Sequence, residues 1–454
     1  MARFDGVGLT CGGFPSRDIG RGIFGGENTI QTQMNVEAAL ARVQASLGVI
    51  PGEAAAEITA KCRQELIPED AYFDQIRTTG GHPLVALVRL YAGICEGGSG
   101  QYVHYGTTTQ DIMDTATMLQ LKQAWAVVEE KANRLLDDLC RAARANRDLV
   151  VMGRTNDQQA LPITLGFRVA SWADEVRRSA ARLAEDGPRI FVGQFGGAVG
   201  TLASLEEKGI AIRDGLMREL GLGIPDIAWY AARDRLAEMC ADLTILTNTL
   251  GRIAGEVYNA SRTEVNEYAE GFRLGKVGSS TMPHKRNPFQ SSRVVAYARL
   301  SRSVMVDALG AMEGTSERDA RSLFTENEFL TKAFLLADCA LDETIDLIEK
   351  LEIHPAAIRR NLDQLNGLVF AEAVMMALAG KYGRIEAHEM VYEVAQRAIS
   401  ENQSFRDLLL ADPKVAAVLT AEQLDDMLVP EKYIGLSRQF VDAVCGTDDI
   451  GHDQ

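Results

Sequence analysis

Residues 107–152 contain neither glycine nor proline, and no other feature limits the possible folds of this chain as much. Ile112, Ala116, Leu119, Val127, Val128, Leu135 and Leu139 recur at helical spacing within it, the pattern of a helix that buries one face. Thr108, followed by Asp111, can cap its start. The spacing predicts a helix over 108–150. Further breaker-poor runs at 231–250, 253–270, 289–309 and 315–354 predict more long helices, with most of 231–270 helical. Helices of roughly 20 to 40 residues that are neither membrane spans nor heptad repeats pack side by side in a long bundle. Nothing reads as a strand series, and 6% aromatic residues is low for a β-rich chain. The expectation is an all-α fold with almost no β-structure.

Glycine and proline cluster at 80–83, 97–100, 193–200, 221–225 and 271–288. The second cluster precedes the long helix, so an N-terminal helical domain is expected over 1–105 and a central helical bundle over 106–350. Near 351–355 the runs shorten, which places a C-terminal helical domain at 351–454. A chain of 454 residues exceeds the usual size of a single core, in keeping with three domains.

The net charge of −16 argues against a nucleic-acid or anionic-membrane partner. A polyanionic substrate stays open, because a local basic pocket can overrule the global sign. The seven cysteines, Cys11, Cys62, Cys95, Cys140, Cys240, Cys339 and Cys445, are scattered without a Cys-x-x-Cys, as expected for free thiols in a reducing cytoplasm. No signal peptide and no apolar run of membrane-spanning length is visible, so a cytoplasmic enzyme is expected. The six histidines show no ligand spacing, and His388-Glu389 is followed by Tyr392 where a zinc motif needs histidine. No metal and no cofactor are expected. Residues 193–200 fit no phosphate loop, and close packing or a turn is the better reading. A Gly-x-Ser-x-Gly elbow is absent.

Three polar constellations remain. Tyr102-Val103-His104-Tyr105-Gly106-Thr107-Thr108-Thr109-Gln110-Asp111 leads into the long helix. Its three hydroxyls at a helix N-terminus could cradle a carboxylate, although capping needs only one of them. Gly153-Arg154-Thr155-Asn156-Asp157-Gln158-Gln159-Ala160-Leu161-Pro162 reads as a polar break between helices that either faces solvent or lines a site, since burying those groups unpaired is costly. Gly278-Ser279-Ser280-Thr281-Met282-Pro283-His284-Lys285-Arg286-Asn287-Pro288 combines two hydroxyls, a cation and an amide. That set suits gripping a carboxylate and moving a proton beside it, while glycine and proline alone would also make a polar turn.

The third segment resembles, nearly letter for letter, the Gly-Ser-Ser-x-Met-Pro-x-Lys-x-Asn-Pro signature of the fumarase/aspartase superfamily. The first two resemble that superfamily's other conserved regions, in the same order. The resemblance covers nearly the whole chain and is nearest to the branch holding adenylosuccinate lyase and bacterial 3-carboxy-cis,cis-muconate cycloisomerase. Glu37-Ala38-Ala39-Leu40-Ala41-Arg42, Met113-Asp114-Thr115 and Gln194-Phe195-Gly196-Gly197-Ala198 lean toward the cycloisomerase. It implies a homotetramer with a twenty-helix core and active sites shared between three subunits. The implied reaction is β-elimination beside a carboxylate, or its reverse, with no cofactor. Ser279 matches the family's proposed base on a mobile loop, activated by desolvation and by donors such as Lys276 and Lys285. Lys285 and Asn287 match carboxylate-binding positions, as do Thr108, Thr109 and Thr155. Asn156, Gln158, Ser280, Met282 and Arg318 complete the implied substrate contacts.

Where an adenylosuccinate lyase has histidine and the cycloisomerase tryptophan, this chain has Asn156, which cannot titrate near neutrality. His104, or His82 in the preceding glycine loop, would then supply the acid. The acidic residues Glu264 and Glu267 would lose the imidazole that they serve in an adenylosuccinate lyase. The phosphate-holding stretch of that enzyme ends in arginine, and here it ends in Asn327. The expectation is a lyase acting on a small polycarboxylate, cleaving the C–N bond of an N-substituted aspartate to release fumarate. Lactone chemistry on a carboxymuconate comes second, and adenylosuccinate cleavage or a catalytically silent structural homologue comes after.

Overall fold

The computed structural model describes residues 10–11, 14–15, 17–78, 80–272, 281–282 and 284–447. Six helices of more than 20 residues dominate: α1 (Gly26–Ser46), α2 (Thr109–Ala145), α3 (Leu165–Ile190), α4 (Asp234–Ala260), α5 (Phe289–Gly310) and α6 (Ala320–Glu349). The expected all-α character holds, and no sheet among the described residues exceeds two strands. The chain divides into two compact units, each assembled from three separated stretches.

The first unit comprises Met1–Asn133, Arg178–Gly251 and Arg293–Glu343. Ile112, Ala116 and Val128 of α2 are buried there, as their spacing predicts, while Leu119 and Val127 are half-buried. Trp125 anchors this core, with its ring edge-on to Phe191 at 5.7 Å and to Phe334 at 6.3 Å. Its indole N–H donates to the Leu183 carbonyl at 3.0 Å. The helix α4 runs straight through Gly251. A Cβ at that position would lie 2.4 Å from the Ala298 Cβ of α5, so glycine is what lets these two helices approach. Arg233, 1% exposed, forms ion pairs with Asp114 of α2 at 3.1 Å and Glu326 of α6 at 2.8 Å. Burial pushes the Glu326 carboxyl up to about 7.

The second unit comprises Arg134–Arg177, Arg252–Ser292 and Thr344–Gln454. Its C-terminal helices close on a core of Leu378, Val391, Val394, Phe405, Leu409 and Leu424. A reciprocal capping box between Thr420 and Gln423 starts the Ala421–Met427 helix.

Two boundaries differ from the periodicity. The first long helix stops at Ala145 rather than near 150, because the backbone turns at Asn146 and Gly166 N–H donates to the Asn146 carbonyl at 2.8 Å. Val150–Thr155 then forms a strand paired with Gln158–Thr164, so residues 153–162 are a β-hairpin and not a break between helices. The β-branched Val150, Val151, Ile163 and Thr164 favour this. At its tip, Asn156 and Asp157 have φ of 51° and 62°, the left-handed pair of a two-residue hairpin turn. Likewise α4 ends at Ala260, and Tyr268–Ala269 pairs with Glu352–Ile353 instead of extending the helix.

Replacing Trp125 with alanine removes a buried ring and its hydrogen bond to the Leu183 carbonyl. Denaturant unfolding of Trp125→Ala should show a loss of about 3–5 kcal/mol; a loss under about 1 kcal/mol would mean that this ring cluster does not anchor the first unit.

Candidate active site

In the first unit a buried carboxylate organises the segment that leads into α2. Asp111, 1% exposed, accepts hydrogen bonds from the N–H groups of Thr108 (2.9 Å), Gly196 (2.8 Å) and Gly197 (3.0 Å). The hydroxyls of Thr107 (2.9 Å) and Tyr230 (2.5 Å) donate to it as well. Burial pushes the Asp111 carboxyl up and these donors pull it back only in part. The expected cap is therefore reversed: the Thr108 hydroxyl does not cap the helix, and Asp111 reaches back to the Thr108 N–H. The 193–200 stretch is a close-packed turn, as the sequence implied. A Cβ at Gly196 would meet Ala228 and Gly200 at 2.8 Å.

The freed Thr108 hydroxyl accepts from the Arg318 guanidinium at 2.8 Å, and Arg318 also reaches Gln110 Oε1 at 3.2 Å and the Ala198 carbonyl at 3.4 Å. It lies 5.5 Å from the Tyr230 ring centre. Thr108 and Arg318, two of the expected substrate contacts, are thus brought together, and Thr109 opens α2 beside them. A half-buried guanidinium braced on three sides makes a rigid receptor for a carboxylate.

His104 sits just before this helix with φ of 64°. Its Nδ1 lies 2.6 Å from Glu37 Oε1, and its backbone N–H donates to Glu37 Oε2 at 3.0 Å. Glu37, on α1, is 3% exposed, so both oxygens of a buried carboxylate grip one residue. Burial lowers the His104 imidazole, but Glu37 and then Asp111 outweigh it and hold the ring protonated above the ordinary value. His82 moves the other way, lowered by burial and then by the Arg318 and His104 charges. Two histidines pushed apart in this way divide into a proton donor and a neutral group. Between the two acid candidates, His104 is the one the environment arms. Glu37 escaped the sequence reading as a site residue, since one glutamate in an alanine-rich helix carries no local signal.

In the second unit the hairpin projects Thr155, Asn156 and Gln158, all exposed. Arg154 beside them makes a paired contact with Glu267 at 2.6 and 3.0 Å. Asn361 also donates to Glu267 at 2.9 Å, and Arg168 lies 3.7 Å away. Glu267, 0% exposed, is thus answered by arginines where an imidazole was expected to be missing, while Glu264 is exposed. Burial opposes ionisation of Glu267, yet Arg154, Asn361 and Arg168 together hold its carboxyl below the ordinary value.

Ser279 and Ser280 of the signature segment, and Lys276 just before it, lie outside the described residues. Met282 and Lys285 are exposed, Asn287 is half-buried, and the Lys285 N–H donates to the Met282 carbonyl at 3.0 Å. Both flanks of the segment are fastened by groups that the sequence did not single out. Glu270 accepts from the Ser291 N–H at 3.0 Å and the Gln290 N–H at 3.4 Å at the head of α5, where an anion is favoured. Glu352 accepts from the Phe272 N–H at 2.8 Å, and Arg286 stacks 4.1 Å over the Phe272 ring.

Arg154→Met would leave the buried Glu267 with only the more distant Arg168 as a cation, costing about 3 kcal/mol at neutral pH. The folded-state pKa of Glu267 is depressed, so the pair stabilises above the unfolded value and that contribution is lost as pH falls through the folded one. Urea unfolding should therefore show the gap between wild type and variant narrowing toward about pH 4; a gap independent of pH would exclude this ion pair as its cause.

Residues 16–299 match the family model described as Lyase, and residues 367–444 match that of the adenylosuccinate lyase C-terminus. The chain is 39% identical to adenylosuccinate lyase of Methanothermobacter thermautotrophicus, over 93% of this chain and 95% of that one. It is 37% identical to N-acetyl-S-(2-succino)cysteine lyase of Dickeya dadantii, over 93% of each. Its structure resembles that of 3-carboxy-cis,cis-muconate lactonizing enzyme from Pseudomonas putida, with a TM-score of 0.88, 35% identity, and coverage of 95% of this chain and 96% of that one. With the signature segment, the long-helix fold and these likenesses together, the chain belongs to the fumarase/aspartase superfamily and is an enzyme of its lyase class.

Proposed function

We propose that this enzyme catalyses β-elimination from a small polycarboxylate, cleaving the C–N bond of an N-substituted aspartate and releasing fumarate. The His104–Glu37 pair is the observation that carries this reading. An amine is a poor leaving group unless it is protonated as the bond breaks, whereas a carboxylate or thiolate departs unaided. A histidine held protonated by a buried glutamate serves the first case and is superfluous in the others. In this reading Ser279 removes the proton α to a substrate carboxylate, and His104 gives its proton to the departing nitrogen. Lys285, Asn287, Ser280, Thr108, Thr109, Thr155 and Arg318 hold the carboxylates, while Asn156, Gln158 and Met282 face the leaving group. Asn156 also meets a backbone demand, since asparagine tolerates the left-handed turn at the hairpin tip.

The assembly proposed with this chemistry is a homotetramer whose sites draw on three subunits. Val306 at 72%, Leu309 at 55% and Phe324 at 83% exposure on α5 and α6 support it, because large apolar side chains this open favour burial against another copy.

A second reading, cycloisomerisation of a carboxymuconate, draws support from Gln194-Phe195-Gly196-Gly197-Ala198 and from the lactonizing enzyme's likeness. The deciding experiment incubates the enzyme with fumarate and an amine panel, with adenylosuccinate, with an S-succinylated thiol and with 3-carboxymuconate, following the enoate absorbance. Turnover with simple amines is expected; turnover confined to carboxymuconate, to the thioether or to adenylosuccinate would replace this reading.

The acid assignment has its own signature. Because the His104 pKa is raised, its protonated form persists as pH rises and is lost only on passing that raised value. Glu37→Gln removes the charge responsible, so the alkaline fall of kcat/KM should move to lower pH. At mildly alkaline pH kcat should drop by about 10²-fold, with KM little changed. An alkaline limb that stays in place would assign the proton donor elsewhere.

A further inference from the structure

Cys140, near the end of α2, and Cys445, the last residue of the Ser437–Cys445 helix, belong to the second unit. Nothing in the elimination chemistry uses either one. They are separated by most of the chain, yet Arg144, one turn along α2 from Cys140, reaches the Cys445 carbonyl, so folding lays the Ser437–Cys445 helix against the stretch of α2 that carries Cys140. Cys140 is 9% exposed and Cys445 half-buried. Two cations surround the pair: Arg144 Nη1 donates to the Cys445 carbonyl at 2.6 Å, and Arg177 donates to the Val444 carbonyl. Arg147 grips Asp442 one turn earlier at 2.7 and 2.5 Å, and Arg438 grips Asp148 at 2.5 Å. The C-terminal helix is thereby clamped against the end of α2, which brings Cys445 to the stretch that carries Cys140.

We infer that Cys140 and Cys445 are a site of reversible oxidative modification, in which a hydroperoxide converts the two thiols into a disulfide that fastens the C-terminal helix to α2. Cys445, together with Arg177 and Arg144, outweighs burial and holds the Cys140 thiol down at about 7, while Cys445 is raised. That asymmetry assigns the steps, since the thiolate is the nucleophile. The Cys140 thiolate attacks one peroxide oxygen and the O–O bond breaks. Cys140 becomes a sulfenic acid, and the second oxygen leaves as hydroxide and takes a proton to become water. The Cys445 sulfur then attacks the Cys140 sulfur, the S–O bond breaks, and the hydroxide leaves as a second water with the Cys445 proton. The two thiols lose two electrons and the peroxide gains them. Cys240, deeply buried and pushed up to about 12 by that burial, should stay reduced, as should Cys62 and Cys95, both raised by burial.

The test uses the full chain, reduced, desalted and exposed to hydrogen peroxide, with free thiols counted and peptides mapped by mass spectrometry. Two thiols per chain should be lost, with one dithiothreitol-reversible cross-link joining the peptides of Cys140 and Cys445. In Cys445→Ser one thiol should be lost, trapped by dimedone as a sulfenic acid on Cys140. In Cys140→Ser, oxidation of Cys445 should slow by about tenfold or more. Arg177→Ala leaves both thiols in place and should slow cross-linking several-fold. Consumption of Cys62 or Cys95 ahead of the pair, or loss of Cys445 at an unchanged rate in Cys140→Ser, would overturn the inference.

Discussion

Asp111 is the group on which the first unit's chemistry depends. A carboxylate taken out of water must be repaid in hydrogen bonds, and this one collects donors from the head of α2, from the Gly196-Gly197 turn and from Tyr230. Satisfying it pins three chain segments, distant in sequence, to one point. The Thr108 hydroxyl, relieved of capping, is then available to Arg318, and the backbone just ahead of it is bent so that His104 meets Glu37. The Thr108–Arg318 contact and the His104–Glu37 pair, the proposed carboxylate receptor and proton donor, both follow from how one buried charge is solvated.

The second unit repeats the device with a different partner. Glu267 is as buried as Asp111 but is answered by a guanidinium, so Arg154 is fixed just below the hairpin tip while Thr155, Asn156 and Gln158 stay exposed at it. Glu270 and Glu352 do the same for the two flanks of the signature segment. Apart from the Thr108–Arg318 contact, the candidate site side chains are seldom held by one another. They are held by carboxylates one step away, which spend their lone pairs on backbone N–H groups and arginines. Such a shell keeps reacting groups in place at small entropic cost.

Much of this was legible from residue types. The absence of glycine and proline in 107–152 left helix as the one regular structure long enough to contain the run, and the spacing of Ile112, Ala116 and Val128 picked out a buried face correctly. The signature segment named a superfamily because eleven adjacent residues carry it together. The hairpin was missed for a reason that can be stated: its strands are short, its polar residues cluster at the turn, and the β-branched Val150-Val151 follow a long helix without a break. Asn156-Asp157 was the available signal, a pair suited to left-handed backbone, and was weighed for its side chains alone. The partners of His104 and Glu267 were not legible at all, since 67 and 113 residues separate His104 from Glu37 and Arg154 from Glu267.

The sequence by itself determined what is local: which stretches are helical, which faces are apolar, and which short motif identifies the reaction class. Backbone propensity and periodic burial act over a few turns, so a linear reading reaches them. Only the tertiary structure decided which histidine pairs with a buried carboxylate, which threonine hydroxyl meets Arg318 and which helices carry cysteines to one place. These depend on desolvation and on charges brought together by folding, and neither is a property of any segment before the chain closes on itself.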